Sequence, residues 1–464
     1  MPNIYNIIFF ITVLFNYSLQ YLVLKFRTNI DLNELKDENY MSTTLNQKLY
    51  VDFNMGDSHQ IIPMTLKTQQ YPTFIVSSSV SDNITVKYNE TKSSKSFHFI
   101  TDFLIKELYK YDFNEGYLVN DSVTFNSSLV YDNFTYMLAT KTNIIANNIS
   151  GEIGFSKKKE GYTYYYPEKT DFLQQLKDNK LINNKVFGIV YDSEYEGRLF
   201  LGTYLHKVDN LYSEEDLITN KINDYTPDKN RDKWMIDFNV KCLGQPDNTE
   251  IYIEENTYGL VMYELGLNVG SRTFRENFVI DYFKKKNCNE SMVSSKPFAF
   301  YQYSCDNEEQ FSDFPDVTLT FPGKYSFNFT KKELFKKLGN VYVFQIVFEI
   351  IELDINYWRL GQVFFRKYSS FFIQGEKESW LSYYPTKKVA QNEETSQVIT
   401  GQIILIIILS SILIILFGLL IYFYLYCEKK KRKKVAQELI DDDNYDYTPK
   451  ENEQEIKKDL NLND

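Results

Sequence analysis

Few residues in this chain have the type and spacing to do chemistry, and the most telling of them share one stretch. It runs from Gly56 to Ser78, G-D-S-H-Q-I-I-P-M-T-L-K-T-Q-Q-Y-P-T-F-I-V-S-S, where two apolar or alternating runs flank the polar corner Lys67-Thr68-Gln69-Gln70. The pattern predicts strand, tight loop, strand, with an ammonium at the corner. A charged lysine donates hydrogen bonds and cannot accept a proton from water. His59, His98 and His206 are scattered, with no cysteine at ligand spacing, so no metal site is expected and nothing implies a cofactor. The net charge of −11 argues against a nucleic-acid surface. A chain of 464 residues has room for a large core and at least two lobes.

The same stretch resembles, without a gap, the first active-site segment of pepsin-like aspartic proteases, roughly G-T-P-x-Q, an apolar run, then D-T-G-S-S-x-x-W-V-x-S-S. Gly56, Gln60, the run to Leu66, Thr68, Phe74-Ile75 and Ser77-Ser78 fall into register. Lys67 takes the place of the catalytic aspartate and Gln69 that of the motif glycine. The second aspartate segment corresponds to Gly259–Gly270, where Met262 takes the aspartate's place and Tyr263 and Glu264 replace Thr and Gly. No D-T-G or D-S-G occurs anywhere in the chain.

Other segments extend the resemblance. Tyr109 lies seven residues before Gly116, as the flap tyrosine of the family does, but the tip reads Lys-Tyr-Asp-Phe where the family has glycines. Bulky residues there imply a flap that closes differently or covers the cleft permanently. Gly151–Phe155 is similar to G-I-L-G-L, with Glu152 in an apolar place. Glu196–Gly202, Trp234–Val240 and Phe314–Phe321 match family strands, and Trp358–Tyr368 is similar to W-x-L-G-D-x-F-x-R-x-Y almost throughout. Together these cover residues 45–384. They imply a mostly β, bilobal pepsin-like fold, with an N-terminal lobe at 45–202, an interlobe linker at 203–232 and a C-terminal lobe at 233–385. The preceding segment, 21–44, is shorter than the prosegments of the family's zymogens.

The chemistry follows from the two replacements. Aspartic proteolysis needs two carboxylates sharing one proton and holding a water between them. Lys67 and Met262 cannot form that dyad, so a catalytically inactive ectodomain is expected, one that binds an extended peptide between its lobes. The rivals are an active membrane-anchored aspartic endopeptidase and a structural or adhesive protein whose cleft is filled. A buried ammonium demands a partner: if Lys67 lies inside, Glu264, facing it across the family's pseudo-twofold axis, is the expected one; otherwise Lys67 snorkels outward and Glu264 faces solvent.

The flanks predict a membrane protein. Residues 1–20 hold a short apolar core, Ile7–Phe15, that reads as a signal peptide. After a polar stalk at 386–398, residues 399–426 are long and apolar enough for a single transmembrane helix, and Lys429–Lys434 follow at once. The basic run places the tail, 427–464, in the cytosol and residues 21–398 in the lumen or outside. Sequons at Asn83, Asn89, Asn120, Asn126, Asn133, Asn148, Asn289 and Asn328 agree with that side. In an oxidising compartment, Cys288 and Cys305, close together within the second lobe, are expected to form a disulfide. Cys242 is left as a buried thiol, and Cys427, at the inner boundary, is a palmitoylation candidate.

Overall fold

The computed structural model describes residues 21–29, 40–68, 73–80, 86–93, 95–101, 105–109, 112–125, 129–142, 150–156, 170–222, 234–244, 247, 249–295, 298–321, 326–350, 357–375, 378–384, 417–418, 420–422 and 424–432; of 105–109 and 112–114 it gives the backbone alone. The chain divides into two units, Met1–Lys388 and Val389–Asp464.

The first unit holds two sheets. One has 14 strands, in the order Ile218–Ile222, Ser379–Tyr384, Ser369–Gln374, Val186–Tyr191, Glu196–Leu201, Leu22–Thr28, Leu49–Met55, Gln60–Lys67, Gly151–Gly154, Phe74–Val76, Leu129–Thr142, Asp112–Phe125 and His98–Phe99, with Ile105–Tyr109 also paired to Asp112–Phe125. The other has 11 strands and is built between Met235 and Leu360. The alternation that predicts strand over Gly56–Ser78 is realised. Gln60–Lys67 is followed by Phe74–Val76, and the turn before it needs Gly56, whose φ of +71° few other residues adopt.

Strand membership departs from the expected lobe limits. Leu22–Thr28, assigned to a short leading segment, pairs with Glu196–Leu201 and reaches Leu49-Tyr50. Its alternation L-V-L-K-F-R-T buries Leu22, Leu24 and Phe26, a period-2 signal present in the sequence. Ile218–Ile222, placed in the linker, pairs with Ser379–Tyr384, and both final strands of the expected second lobe lie in the first sheet. Sequence order does not reveal such long-range returns.

Each lobe repeats one local device. In the first, Gly151–Gly154 runs parallel to Gln60–Lys67, with Leu66 opposite Ile153 and Lys67 opposite Gly154. In the second, Tyr357–Leu360 runs parallel to Thr249–Val261, with Val261 opposite Leu360. The corners after Leu66 and Val261 are therefore framed alike. Between the lobes lies a stack of aromatic rings in which Phe187 contacts Phe155, Trp234 and Phe372 at centroid distances of 4.5, 5.3 and 5.2 Å. Such pairs add to the apolar burial that holds the lobes together.

Cys288 and Cys305 form a disulfide, and Cys242 is a buried thiol on Met235–Gly244. In the second unit the described residues 417–418, 420–422 and 424–432 are helical, and Cys427 is exposed there. Among the described residues no helix is long and apolar enough to cross a membrane. Most of 399–426, and the whole of 1–20, lie outside the described residues.

One carboxylate of the second lobe sets a pH dependence. Glu254 is buried and accepts hydrogen bonds from Ser271 Oγ at 2.8 Å and Tyr252 Oη at 3.4 Å. Burial pushes its carboxyl above the ordinary glutamate range, against the opposing pull of the hydrogen bonds from Ser271 and Tyr252. A raised folded-state value favours the protonated form. The stability it confers is full below the unfolded value, about 4.3, and is lost as pH rises through the folded one. Glu254→Gln should therefore raise the melting temperature at neutral pH, by roughly 2–4 °C per kcal/mol relieved. The gap to the native protein should close below about pH 4. Thermal melts across that range check it.

Candidate functional site

The two corners meet between the lobes. Thr68 donates its hydroxyl to the carbonyl of Val261 at 2.7 Å, directly before Met262 on the opposite corner. The carboxylate of Glu264 lies 3.1 Å from the same hydroxyl and 3.4 Å from the Thr68 amide. Both residues are buried. Behind the corners, Phe155 N–H donates to Lys67 carbonyl at 2.8 Å and Met262 N–H to Leu360 carbonyl at 2.9 Å, so each loop is fixed to its parallel neighbour strand.

Lys67 does not take the partner expected of it. Its ammonium lies 3.4 Å from Glu152 Oε1, with the lysine side chain 15% exposed and the glutamate side chain fully buried. Glu264 is engaged by Thr68 instead. The sequence carries the signal for this pairing, because Glu152 interrupts an apolar segment whose strand is buried throughout. A lone carboxylate there would be prohibitively desolvated, and a lone ammonium at Lys67 nearly so. The two departures from the family pattern account for each other.

Met262 is half-buried. Tyr263 turns into the interlobe core, its ring 4.7 Å from Phe365, 6.1 Å from Phe372 and 6.2 Å from Phe187. Burial drives its phenol well above the ordinary range, so it stays neutral. Gln69 lies outside the described residues. Tyr109 ends the strand Ile105–Tyr109, opposite Asp112, in a hairpin whose residues 110–111 and whose Tyr109 side chain are also outside them.

The segment leading into the first lobe also reaches the second corner. Helix Tyr40–Leu45 packs among Leu267, Val269, Phe300 and Val347. Gly266 admits it, because a Cβ there would sit 1.6 Å from the Thr44 carbonyl. Lys48 Nζ donates to the Glu264 carbonyl at 3.1 Å. Gln362, in the motif following Trp358, donates to the carbonyls of Gln47 at 3.0 Å and Tyr263 at 2.9 Å, and Arg366 donates to Gln47 Oε1 at 2.7 Å. Sequence reasoning missed Gln47 and Lys48, which carry no motif.

Together the two corners present an ammonium beside a carboxylate, a thioether and a threonine–glutamate tie. An ammonium so held donates but does not accept protons, and a thioether does neither usefully. Of the sequon asparagines, Asn133, Asn289 and Asn328 are exposed, Asn89 and Asn120 are half-buried, and Asn83, Asn126 and Asn148 lie outside the described residues.

The ion pair yields a test. Glu152→Ala removes a carboxylate partner from the part-buried Lys67 ammonium and should cost up to about 3–5 kcal/mol, whereas replacing both, K67M with E152L, should restore most of that. Urea melts of the two variants and the native protein measure the difference. A second tie is testable the same way. Glu264→Ala removes the acceptor of the Thr68 amide and should cost about 1–3 kcal/mol.

The comparisons agree with this architecture. The family model described as eukaryotic aspartyl protease matches residues 43–382. A crystal structure of the aspartic proteinase from Irpex lacteus superposes with a TM-score of 0.55 at 13% identity, covering 80% of this chain and all of that one. No curated protein matches the chain in sequence. With most of its length matched by that model, the chain belongs to the eukaryotic aspartyl protease family.

Proposed function

We propose that this protein is a non-catalytic member of its family, whose interlobe cleft binds an extended peptide or protein segment without cleaving it. The observation that carries the reading is the Lys67–Glu152 ion pair where the first catalytic carboxylate would stand, with Met262 in the place of the second. The aspartate pair that general acid–base chemistry on a peptide bond uses in this family is not supplied by Lys67 and Met262. Binding would follow the family's arrangement, a strand-like ligand held by backbone hydrogen bonds between the two lobes. We further propose that the unit is held at a membrane of the secretory route or the cell surface by 399–426, with the described lobes on the lumenal or outer side and the basic tail in the cytosol. The disulfide Cys288–Cys305 supports an oxidising surrounding.

A proteolysis assay from acid to neutral pH, on an unfolded protein substrate, tests the catalytic half of this reading. The native protein should give no cleavage that a transition-state mimic of aspartic proteases blocks. Such cleavage would overturn it in favour of an active endopeptidase. Restoring aspartates requires a third change, because an aspartate at position 67 would face the buried Glu152. K67D with M262D and E152A should therefore gain measurable cleavage where K67D with M262D alone gains less.

A further inference from the structure

Two of the sequon asparagines face each other. Asn120 lies on Asp112–Phe125 and Asn133 on the adjacent antiparallel strand Leu129–Thr142. Asp121 sits opposite Phe134 and Val123 opposite Tyr131, so Asp132 and Asn133 together oppose Ser122 in a β-bulge. Asn133 takes the left-handed conformation of the bulge, with φ of +72°, which asparagine tolerates better than most residues. Its side chain is exposed. Asn120 is half-buried. Its Nδ2 donates to Asn133 Oδ1 at 3.5 Å, and its Oδ1 is enclosed without a hydrogen-bond partner among the described residues.

We propose that Asn133 is the glycan acceptor of this pair and that Asn120 stays unmodified in the folded protein. The proposal rests on the lumenal placement given above. In the transfer, a bond forms between Asn133 Nδ2 and the anomeric carbon of an oligosaccharide carried on a polyprenyl diphosphate. The anomeric carbon–oxygen bond breaks, the lipid diphosphate leaves with the electron pair, and the amide loses one proton to the medium. Asn133 has open solvent for the product. Asn120 is more confined: its Oδ1 is enclosed, and its Nδ2, the atom to be modified, already donates to Asn133. The hydrogen bond and one amide's width put the two amide nitrogens less than about 6 Å apart, too close for two branched sugar chains. Transfer to the nascent chain at Asn120 would leave a sugar that the strand pairing cannot accommodate, so the folded population is depleted of it.

The test uses the full chain made in a eukaryotic secretory host. The folded protein is treated with peptide N-glycanase in ¹⁸O-water and digested with trypsin, which leaves residues 111–141 as one peptide between Lys110 and Lys141, so both asparagines are read in the same molecule. The expected result is the ¹⁸O-aspartate label at position 133 and none at 120. Asn133→Gln should remove one glycan's mass with no new label at Asn120. Label on Asn120 in either protein, or label at other sequons with Asn133 blank, overturns the proposal alone. No label at any sequon overturns the lumenal placement and the proposal with it.

Discussion

An ammonium at the junction of two lobes is the constraint around which the rest of this site is arranged. Lys67 ends a buried strand, and the parallel strand beside it must either leave that charge unmatched or supply its opposite. It supplies Glu152, at full burial of the carboxylate side chain. Such a pair gains less stability than its Coulomb attraction suggests, because both ions have left water. Its effect is on specificity of arrangement, since either charge alone is far worse than both. The second lobe carries a related device: Arg359, on the parallel strand framing the other corner, pairs with Glu349 while nearly buried. Each corner is thus framed by a parallel strand that carries one member of a charge pair.

Replacing the small motif residues also changes how the lobes are joined. Where the family pattern has threonine, Tyr263 projects into the aromatic stack around Phe187, Phe365 and Phe372, and where it has glycine, Glu264 reaches across to Thr68. One substitution adds apolar contact and the other a buried hydrogen-bonded carboxylate. With Gln47, Lys48, Gln362 and Arg366 they fasten the corners from several directions. The Thr68 hydroxyl, the one small motif side chain retained, still spans to the carbonyl before Met262.

Much of this was legible in the sequence, because local pattern and spacing determine strands, corners and lobes. The strands flanking Lys67 and the Cys288–Cys305 pairing follow from short-range signals. Pairing partners were less legible. Glu152 and Glu264 are both acidic residues near the same centre, and only the register of Gly151–Gly154 on Gln60–Lys67 decides which one meets the lysine. The same reason hid the membership of Leu22–Thr28, Ile218–Ile222 and Ser369–Tyr384 in one sheet. Hydrophobic pattern carries no information about a partner some hundred or more residues away.

That first strand has a consequence for how the protein is made. Leu22–Thr28 is the only hydrogen-bonded link, among the described strands, between the five strands from Ile218–Ile222 to Glu196–Leu201 and those from Leu49–Met55 onward. It emerges from the ribosome well before its main partner, Glu196–Leu201, which follows only after most of the first lobe has been synthesised. Seven residues with three apolar side chains on one face therefore wait through that interval with only one end paired, to Leu49-Tyr50. Closure of this sheet is a late, high-contact-order event by construction. A chain stalled or cut before Leu201 would hold an orphan strand edge of the kind that chaperones shield and that seeds aggregation.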